Sequence, residues 1–365
     1  MFSSPFNSFL MGGFECSTHR PRSGQRLDLI AATRHDEFAE ADYHRLNELG
    51  MQAARDGLRW HLIEREPGKY DFSSLERQAA AARSTGTQVI WDYFHYGYPD
   101  DIDIMTDDFV ERFTAFAIAA TEYLVGEFGP QIFFCPVNEI SFFSWAAGRA
   151  GIFYPFSRNR AATIKRQLVK CVIATVREVR VRFPQARWIL TEPAIHVVPS
   201  PGSSPRGAAR YRMAQFQALD MITGRVDPEL GGDPHFIDMI GLNYYVHNQW
   251  TQPGRRPISR QHALYRPPHE IFNEFYIRYG RPILIAETGI EDDRRADWFR
   301  HMSDESRSTA AMGVPLFGMC LYPIVNHPGW DDGRHCHNGL WDYPDETGAR
   351  AVHEPLETAI REFQL

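Results

Sequence analysis

The chain contains few cysteines, and none of them stands in a Cys-x-x-Cys pair. Among its 365 residues are five cysteines, an odd number: Cys16, Cys135, Cys171, Cys320 and Cys336. This count and spacing exclude a disulfide framework and a zinc ribbon. Several of the thiols fall in strand-like apolar runs, where a reduced cysteine behaves as a small apolar residue. We therefore expect reduced cysteines, which favours a cytoplasmic location.

The sequence also lacks a long apolar run. No stretch approaches the roughly 18 apolar residues of a membrane span. The most apolar helical pattern, residues 113–125, is too short and contains Glu122. Residues 1–10 carry neither the basic cluster nor the sustained apolar run of a secretory signal. We expect a soluble intracellular protein without a membrane partner.

An excess of basic charge is absent as well. The 39 Lys and Arg residues are outnumbered by 46 Asp and Glu residues, which gives a formal net charge of -7. Nothing here predicts a nucleic-acid surface. Aromatic residues, in contrast, make up 13% of the chain. Most should be core, but an abundance of Trp and Tyr also suits sugar binding, because a sugar ring can pack its C–H face on an aromatic ring.

Strand-like runs alternate with helical patterns along the whole chain. We predict strands near residues 9–15, 52–61, 88–94, 131–139, 187–192, 236–245, 282–287 and 315–322, with a helix after each. This repetition predicts βα units around a parallel sheet. We expect an α/β fold, a (β/α)8 TIM barrel, as a single domain over residues 1–365. An open doubly wound sheet is the alternative, but the sequence has no Gly-rich phosphate loop to accompany it.

Two carboxylates stand where two of these runs end. Glu139 closes the string PVNE after the fourth predicted strand, and Glu287 lies in IAETG at the end of the seventh. In a (β/α)8 barrel all C-terminal strand ends open on one mouth, so the two side chains would face each other. Two carboxylates across a pocket are what glycosidic-bond cleavage by an acid and a nucleophile requires.

Four strings carry a family resemblance. They follow the predicted strands in order: GLRW at 57–60 with EPGKYD at 66–71, DYFHYGYP at 92–99, PVNE at 136–139 and GLNYY at 241–245. With them the chain resembles the clan A retaining glycoside hydrolases, and most closely the family 1 β-glucosidase-like group. The resemblance implies a hydrolase that cleaves a β-glycosidic bond by double displacement. Glu139 would be the acid/base and Glu287 the nucleophile, with no cofactor and no metal.

The same resemblance implies two supporting residues. Arg59 matches an arginine that would keep Glu287 ionised by its opposite charge; the alternative is a surface ion pair. Tyr245 matches a tyrosine whose hydroxyl donates to the nucleophile. Tyr244 is the alternative for that role, and aromatic core is the alternative for Tyr245 itself.

Sugar-binding residues are implied next, on the side of the pocket that would hold the glycone. Asn138 resembles an asparagine that binds the 2-hydroxyl, and His95 resembles a donor in the same subsite, with a core histidine as its alternative. Asn243 is a further candidate. Glu15 stands where the family commonly has a glutamine, so this carboxylate changes the expected glycone contacts.

The eighth strand matches the family least. Tyr322 is expected as the sugar platform, Trp330 as a stacking residue, and Asp331 or Asp332 as ligands of distal hydroxyls; plain loop residues are the alternative. The aromatic loop at 140–156 is expected to line the leaving-group side, with Trp145 as its test residue. The string His335-Cys336-His337, with His327 nearby, offers zinc-ligand types without the usual second cluster, and we expect no metal.

Three other functions remain open from the sequence. An endo-glycanase or a transglycosidase would use the same machinery, and a non-catalytic carbohydrate-binding barrel would retain the fold alone. The partner in each case is an oligosaccharide or glycoside. No phosphate-binding cluster stands out in the loops, so a 6-phosphoglycoside is not indicated.

Overall fold

Eight parallel strands form a closed barrel in the computed structural model, which describes residues 4–363. In chain order they are β1 Leu10–Gly13, β2 Ala53–Gly57, β3 Gln88–Asp92, β4 Phe133–Cys135, β5 Arg187–Pro193, β6 Met239–Asn243, β7 Ile283–Thr288 and β8 Leu316–Leu321. Each strand pairs with its sequence neighbours, and β1 closes the ring on β8. The predicted barrel is confirmed and the open sheet is wrong. Of residues 1–10, for which no secretory signal was predicted, residues 1–3 lie outside the described part of the chain.

Helices connect consecutive strands, as a right-handed βα barrel requires. They are His35–Glu48, Ser73–Thr85, Asp107–Phe128, Ala161–Arg182, Pro205–Met213 with Gln217–Ile222, Pro268–Tyr279, Arg295–Ala311 and Glu354–Arg361. Three short helices lie in the loops: Leu29–Ala32, Trp60–Ile63 and Ile140–Trp145. Between residues 4 and 363, no helix combines the length and apolarity needed to cross a membrane.

The boundaries match the predicted ones to within a few residues, with one consequential exception at β2. The prediction ran to residue 61, but the strand ends at Gly57 and the chain turns into the helix Trp60–Ile63. A Cβ on Gly57 would lie 2.4 Å from the sulfur of Cys16. The absence of a side chain at this position therefore allows β2 and the segment after β1 to come together.

Alternating side chains fill the barrel interior. Met11, Ala53, Ile90, Phe133 and Leu284 belong to one buried cluster inside the ring, and Phe6 packs on Phe133 with ring centroids 4.8 Å apart. Because successive residues of a strand face opposite sides, the inward position of Ala53 on β2 also places residue 55 inside. Residue 56 then faces the surrounding helices.

Behind β2 lies a second buried group, which we call the outer ionic cluster: His35, Asp42, Asp56 and Arg350. His35 bridges Asp42 through Nδ1 and Asp56 through Nε2, both at 2.9 Å. Arg350 donates twice to Asp42, at 2.7 and 2.8 Å. Burial by itself lowers the pKa of His35, but the two aspartates outweigh it and raise the pKa to about 9. The cluster ties the C-terminal segment to the first helix and to β2.

Three small sheets surround the mouth of the barrel. One sheet is formed by strands that follow β5 and β6 in the sequence: His196–Pro199, Gln249–Gln252 and Arg256–Pro257. His327–Pro328 pairs with His335–Cys336, and Trp341–Pro344 pairs with Arg350–Val352. These sheets order the long loops after β5, β6 and β8, which form much of the cavity wall described next.

Candidate active site

A cavity of about 1560 Å³ opens at the C-terminal ends of the strands. Glu139 and Glu287 both line it, 8% and 5% exposed. Glu15, Tyr245, Tyr322, Trp330 and Trp145 line the same cavity. The two carboxylates that the strand pattern placed at one mouth thus share one buried pocket.

Glu287, within β7, is held by two donors. Arg55 donates from Nη1 to its Oε1 at 2.7 Å, and the hydroxyl of Tyr245 donates to its Oε2 at 2.8 Å. Burial raises the pKa of Glu287, and the guanidinium of Arg55 opposes that shift. Since each carboxylate oxygen accepts from a donor, the ionised form is the one these contacts stabilise. The contact predicted for Tyr245 is present, whereas Tyr244 stacks on Trp298 in the core.

Arg55 is the centre of this arrangement. It is fully buried on β2 and forms a bidentate ion pair with Asp92. Its Nε donates to Oδ1 at 3.0 Å, and its Nη2 donates to Oδ2 at 2.6 Å. Its Nη2 also donates to Asn138 Oδ1 at 2.8 Å. Burial raises the pKa of Asp92, but the charges of Arg55 and His95 and their hydrogen bonds to this carboxylate together outweigh burial, and the pKa is lowered. A bidentate pair of this kind fixes the orientation of the guanidinium, so Arg55 positions Glu287 rigidly against the barrel wall.

The role predicted for Arg59 is wrong. Arg59 caps the helix Trp60–Ile63 and donates to Asp36 at 2.7 Å and to the carbonyl of Ser74 at 2.9 Å. The cause is the early end of β2, which takes residue 59 out of the barrel. The sequence did contain a signal for Arg55, a charge inside a short strand. However, the run Ala-Ala-Arg-Asp-Gly has no apolar alternation to show which charge faces inward.

Glu139 sits in a different environment. It adopts a left-handed backbone, φ 47°, at the start of the helix Ile140–Trp145. The hydroxyl of Tyr96 donates to its Oε2 at 2.6 Å. Burial, and then the charge of Glu287, raise the pKa of Glu139 well above its usual range. The pKa of Glu287 is raised as well, but among the described residues a cation pairs with Glu287 and none pairs with Glu139, so these contacts favour the proton on Glu139. Tyr96 lies within the string at 92–99, but the sequence pattern did not single it out.

A buried hydrogen-bond network connects the two carboxylates. The oxygen of Asn138 accepts from Arg55, from Thr191 at 2.9 Å and from Asn243 at 3.2 Å. Its amide donates to the hydroxyl of Tyr96 at 3.1 Å. Asn138 and Asn243 are fully buried and are not among the residues that line the cavity. A sugar hydroxyl would have to replace one of these bonds, so their sugar contacts stay predictions.

His95 and Glu15 form the neighbouring wall. His95 pairs with Asp92 through Nδ1 at 3.0 Å, and its Nε2 lies 3.7 Å from Glu15. Burial raises the pKa of Glu15, but the charges of His95 and His327 and the hydrogen bonds from Ser17 together outweigh burial and leave the pKa lowered. The ring of Tyr322 stacks on His95 at 5.9 Å. A Cβ on Gly13 would stand 2.1 Å from that tyrosine ring, so glycine at the end of β1 makes room for the ring of Tyr322, whose role as a sugar platform stays a prediction.

The loop after β8 only partly matches the prediction. Trp330 lines the cavity and packs on Tyr96, Phe142 and Phe153 at 5.8–5.9 Å. Asp331 and Asp332 are exposed and are not among the residues that line the cavity, so a role of either in binding distal hydroxyls stays a prediction. Both lie in the exposed segment 331–334 of the hairpin between His327–Pro328 and His335–Cys336.

The histidine string is brought together with a carboxylate that the sequence did not suggest. His335, His337 and Asp342 place possible ligand atoms within 4.8 Å of one another, and His335 Nε2 pairs with Asp342 at 2.8 Å. His327 instead contacts Asn338 and the carbonyl of Pro328. That the chain needs no metal stays a prediction.

The segment at 140–156 lines the cavity, as expected, but much of it is helical. Ile140–Trp145 is an α-helix and Ala146–Ala150 continues it as a π-helical turn. Phe142, Trp145 and Arg149 reach the cavity from this segment. Because the segment begins directly after Glu139, it forms the wall on the side of that carboxylate.

Barrel and pocket together define a class of fold, the (β/α)8 barrel with a cavity at the C-terminal ends of its strands. The β-glucosidase from Thermotoga maritima in complex with glucoimidazole shares it, with a TM-score of 0.77, 16% identity, and coverage of 98% of this chain and 97% of that one. A β-glycosidase from Pyrococcus horikoshii matches with a TM-score of 0.75, 16% identity, and coverage of 90% and 84%. No protein-family model matches the chain, and no curated protein does. At this identity the likeness is one of fold.

Proposed function

We propose that the protein is a retaining β-glycoside hydrolase. The observation that carries the proposal is the unequal environment of two carboxylates in one cavity. Glu287 accepts from Arg55 and Tyr245, whereas Glu139 accepts from Tyr96 and has a raised pKa. One ionised and one protonated carboxyl group are the two forms that double displacement needs at its start. The fold shared with β-glucosidases supports the same assignment.

The first step forms a covalent intermediate. An oxygen of Glu287 attacks the anomeric carbon, and the bond from that carbon to the leaving oxygen breaks. Glu139 transfers its proton to the leaving oxygen, so the leaving group departs as a neutral alcohol. The hydrogen bond from Tyr245 holds the second oxygen of Glu287 and so directs the attacking one.

The second step reverses the role of Glu139. Once Glu287 is an ester it carries no charge, and the like-charge repulsion that raised the pKa of Glu139 disappears. Glu139, now a carboxylate, takes a proton from water while the water oxygen bonds to the anomeric carbon. The ester bond to Glu287 breaks, which regenerates the starting ionisation state.

Covalent labelling tests this assignment. The protein would be incubated with a panel of activated 2-deoxy-2-fluoro glycosides, which slow the breakdown of the intermediate, and its intact mass measured. We expect a mass increase that maps to the peptide containing Glu287 and is lost in Glu287→Gln. Glu291→Gln is the matched control, because Glu291 also lines the cavity and should leave labelling unchanged. Labelling at another residue would overturn the assignment.

Leaving-group dependence tests the acid/base. Glu139→Gln should lose turnover of glycosides with poor leaving groups while still forming the intermediate from dinitrophenyl glycosides, and azide should restore release. Because the wild-type acid must be protonated, activity should fall as pH rises through the raised pKa of Glu139. A variant that cleaves good and poor leaving groups in the wild-type ratio would contradict this role.

The size of the cavity favours substrates longer than one sugar unit. Its volume of about 1560 Å³ exceeds the roughly 300–1,000 Å³ of a typical small-molecule pocket. Product analysis with oligosaccharides and with a competing acceptor separates exo-hydrolysis, endo-hydrolysis and transglycosylation. Calorimetric binding of a sugar that no assay shows to be cleaved would instead indicate a non-catalytic carbohydrate-binding barrel.

A further inference from the structure

Four basic residues that follow three successive strands, β4, β5 and β6, line the cavity. Arg149 and Lys165 follow β4, Lys165 in the helix Ala161–Arg182; Arg210 follows β5 in the helix Pro205–Met213, and Arg255 lies in the loop after β6. We call these four residues the cationic wall. Trp145 lies beside them, at the end of the helix that starts after Glu139.

The wall lacks the acidic partners that neutralise other arginines at this cavity. Arg166 pairs with Asp227, and Arg334 pairs with the cavity residue Glu291. Within residues 4–363, no carboxylate forms an ion pair with any of the four wall residues. Arg149, Arg210 and Arg255 are exposed and line the cavity, where an anion can reach them.

Two of the four cations are nevertheless held in place. The guanidinium of Arg255 lies 5.2 Å from the ring of Trp145 and 5.2 Å from the ring of Trp250. Cation–π contacts orient an arginine without neutralising its charge. The ammonium of Lys165 donates to the amide oxygen of Gln217 at 3.0 Å. These contacts fix the positions of charges that remain free to bind an anion.

Lys165 is the least exposed member of the wall. Its side chain is partly buried, and burial lowers the pKa of its ammonium group, while the charge of Glu192 opposes that shift without forming an ion pair. An anionic ligand in the cavity would supply a direct partner for this ammonium group.

The position of the wall fixes which part of a substrate would meet it. Glu139 must reach the leaving oxygen, so the leaving group lies along the segment that starts at Ile140, where Trp145 and Arg149 line the cavity. Glu15 lines the cavity as well, and its charge acts on Glu287. That pair of carboxylates would repel an anionic glycone, so the wall and the acidic side favour opposite ends of the substrate.

We propose that the natural substrate carries an anionic group, such as a carboxylate, sulfate or phosphate, on its leaving group, and that the cationic wall binds it. This inference rests on the proposed glycosidase function. Trp145 would pack against the leaving group while Arg149, Arg255 and Lys165 contact its anion. The three anions share the recognising chemistry, and a direct comparison distinguishes them.

The test compares glycosides that share the glycone which labels the enzyme. Four aryl leaving groups of matched leaving ability would carry a carboxylate, a sulfate, a phosphate or an uncharged amide. We expect kcat/KM for at least one anion to exceed that of the amide by about tenfold, the effect of one charge-assisted contact. Raising the salt concentration from 50 to 500 mM should diminish that preference, because partly exposed charges are screened.

Variants then assign the preference to the wall. The double variant Arg149→Gln/Arg255→Gln should lower kcat/KM for the anionic glycoside about tenfold more than kcat/KM for the amide glycoside. Arg361→Gln is the charge-matched control on the last helix, where Arg361 pairs with Glu357, and it should change neither. Thermal unfolding of each variant checks folding, and the salt series on the wild type needs no variant.

Each result bears on one proposal only. If the wild type cleaves the amide glycoside but shows no preference for any anion, the inference about the leaving group is overturned and the glycosidase function stands. A preference for an anion that persists in the double variant also overturns the role of the wall. If no glycoside of the set is cleaved or forms a covalent intermediate, the proposed function itself fails.

Discussion

Two buried ionic groups lie on the two faces of the same short strand, and they differ in access to solvent. Inside the barrel, Arg55 of β2 binds the carboxylate of Glu287 at the floor of the cavity. Outside, the neighbouring residue Asp56 binds His35 in the outer ionic cluster. Each group holds a basic side chain between two carboxylates: Arg55 lies between Asp92 and Glu287, and His35 lies between Asp42 and Asp56. Only the inner group borders a cavity.

The difference teaches how one arrangement of charges serves two purposes. In the outer cluster His35 and Asp42 are completely buried, and Arg350 closes the cluster with a bidentate pair. A hydrogen-bonded network that is buried and fully paired stabilises the packing of the helices and strands it connects, but no substrate can reach it. In the inner group the carboxylate of Glu287 reaches the cavity, where a substrate atom can approach it. Access, rather than the composition of the cluster, determines which group can do chemistry.

From this comparison we expect substitution of Arg55 to cause the largest loss of activity. In Arg55→Gln we expect kcat/KM to fall about 10³-fold, because Glu287 loses the charge that stabilises its ionised form. The pKa of Glu287 would rise further, so the acid limb of the pH–rate profile should move to higher pH. Kinetics across pH measure both effects, with Arg55→Lys as the charge-preserving control. A folded Arg55→Gln with wild-type kinetics would contradict the assigned role.

Substitution of Arg350 should lower stability and leave activity nearly unchanged. Arg350→Gln removes the bidentate pair to the buried Asp42, and we expect a loss of about 3 kcal/mol in the free energy of unfolding. Urea denaturation measures the loss. At temperatures where the variant is folded, kcat/KM should remain within about twofold of the wild type. A large drop in kcat without unfolding would mean that the two clusters are coupled.

His35 should make the outer cluster sensitive to pH. Its pKa is about 9 in the folded protein and about 6.5 when unfolded, so its charge stabilises the fold fully below pH 6.5. That contribution is lost as pH rises through 9, and we expect the free energy of unfolding to fall by about 2 kcal/mol between pH 6.5 and 9. His35→Gln should flatten this part of the stability curve. Equal slopes in the variant and the wild type would disprove the role of the histidine.

The smallest effect is expected for Arg59. Its partners Asp28 and Asp36 are partly exposed, so Arg59→Gln should cost about 1 kcal/mol of stability. Because the side chain does not contact Glu287, kcat/KM should change less than about twofold. Parallel kinetics of Arg55→Gln and Arg59→Gln on one substrate provide the comparison. A loss of activity in the Arg59 variant as large as in the Arg55 variant would refute the distinction between them.

The amino-acid sequence determined the barrel and the position of its two central carboxylates. Apolar runs alternating with amphipathic helices are local signals, and eight of them in succession specify the βα order. Glu139 and Glu287 follow such runs directly, so knowledge of the strand ends was enough to place both at the cavity. Tyr245 could be named beside Tyr244 for the same reason, and its contact with Glu287 distinguished the two.

Only the tertiary structure decided which side chains face the cavity. The strand of Arg55 has no apolar alternation, so its inward side depends on the packing of Ala53 inside the ring. Whether Asp331 faces the cavity depends on how the hairpin between His327–Pro328 and His335–Cys336 folds back over the mouth of the barrel. The cationic wall brings together residues 149, 165, 210 and 255, which are scattered in the sequence and meet at one cavity. Side-chain direction and long-range proximity arise from packing between elements, and no local pattern encodes them.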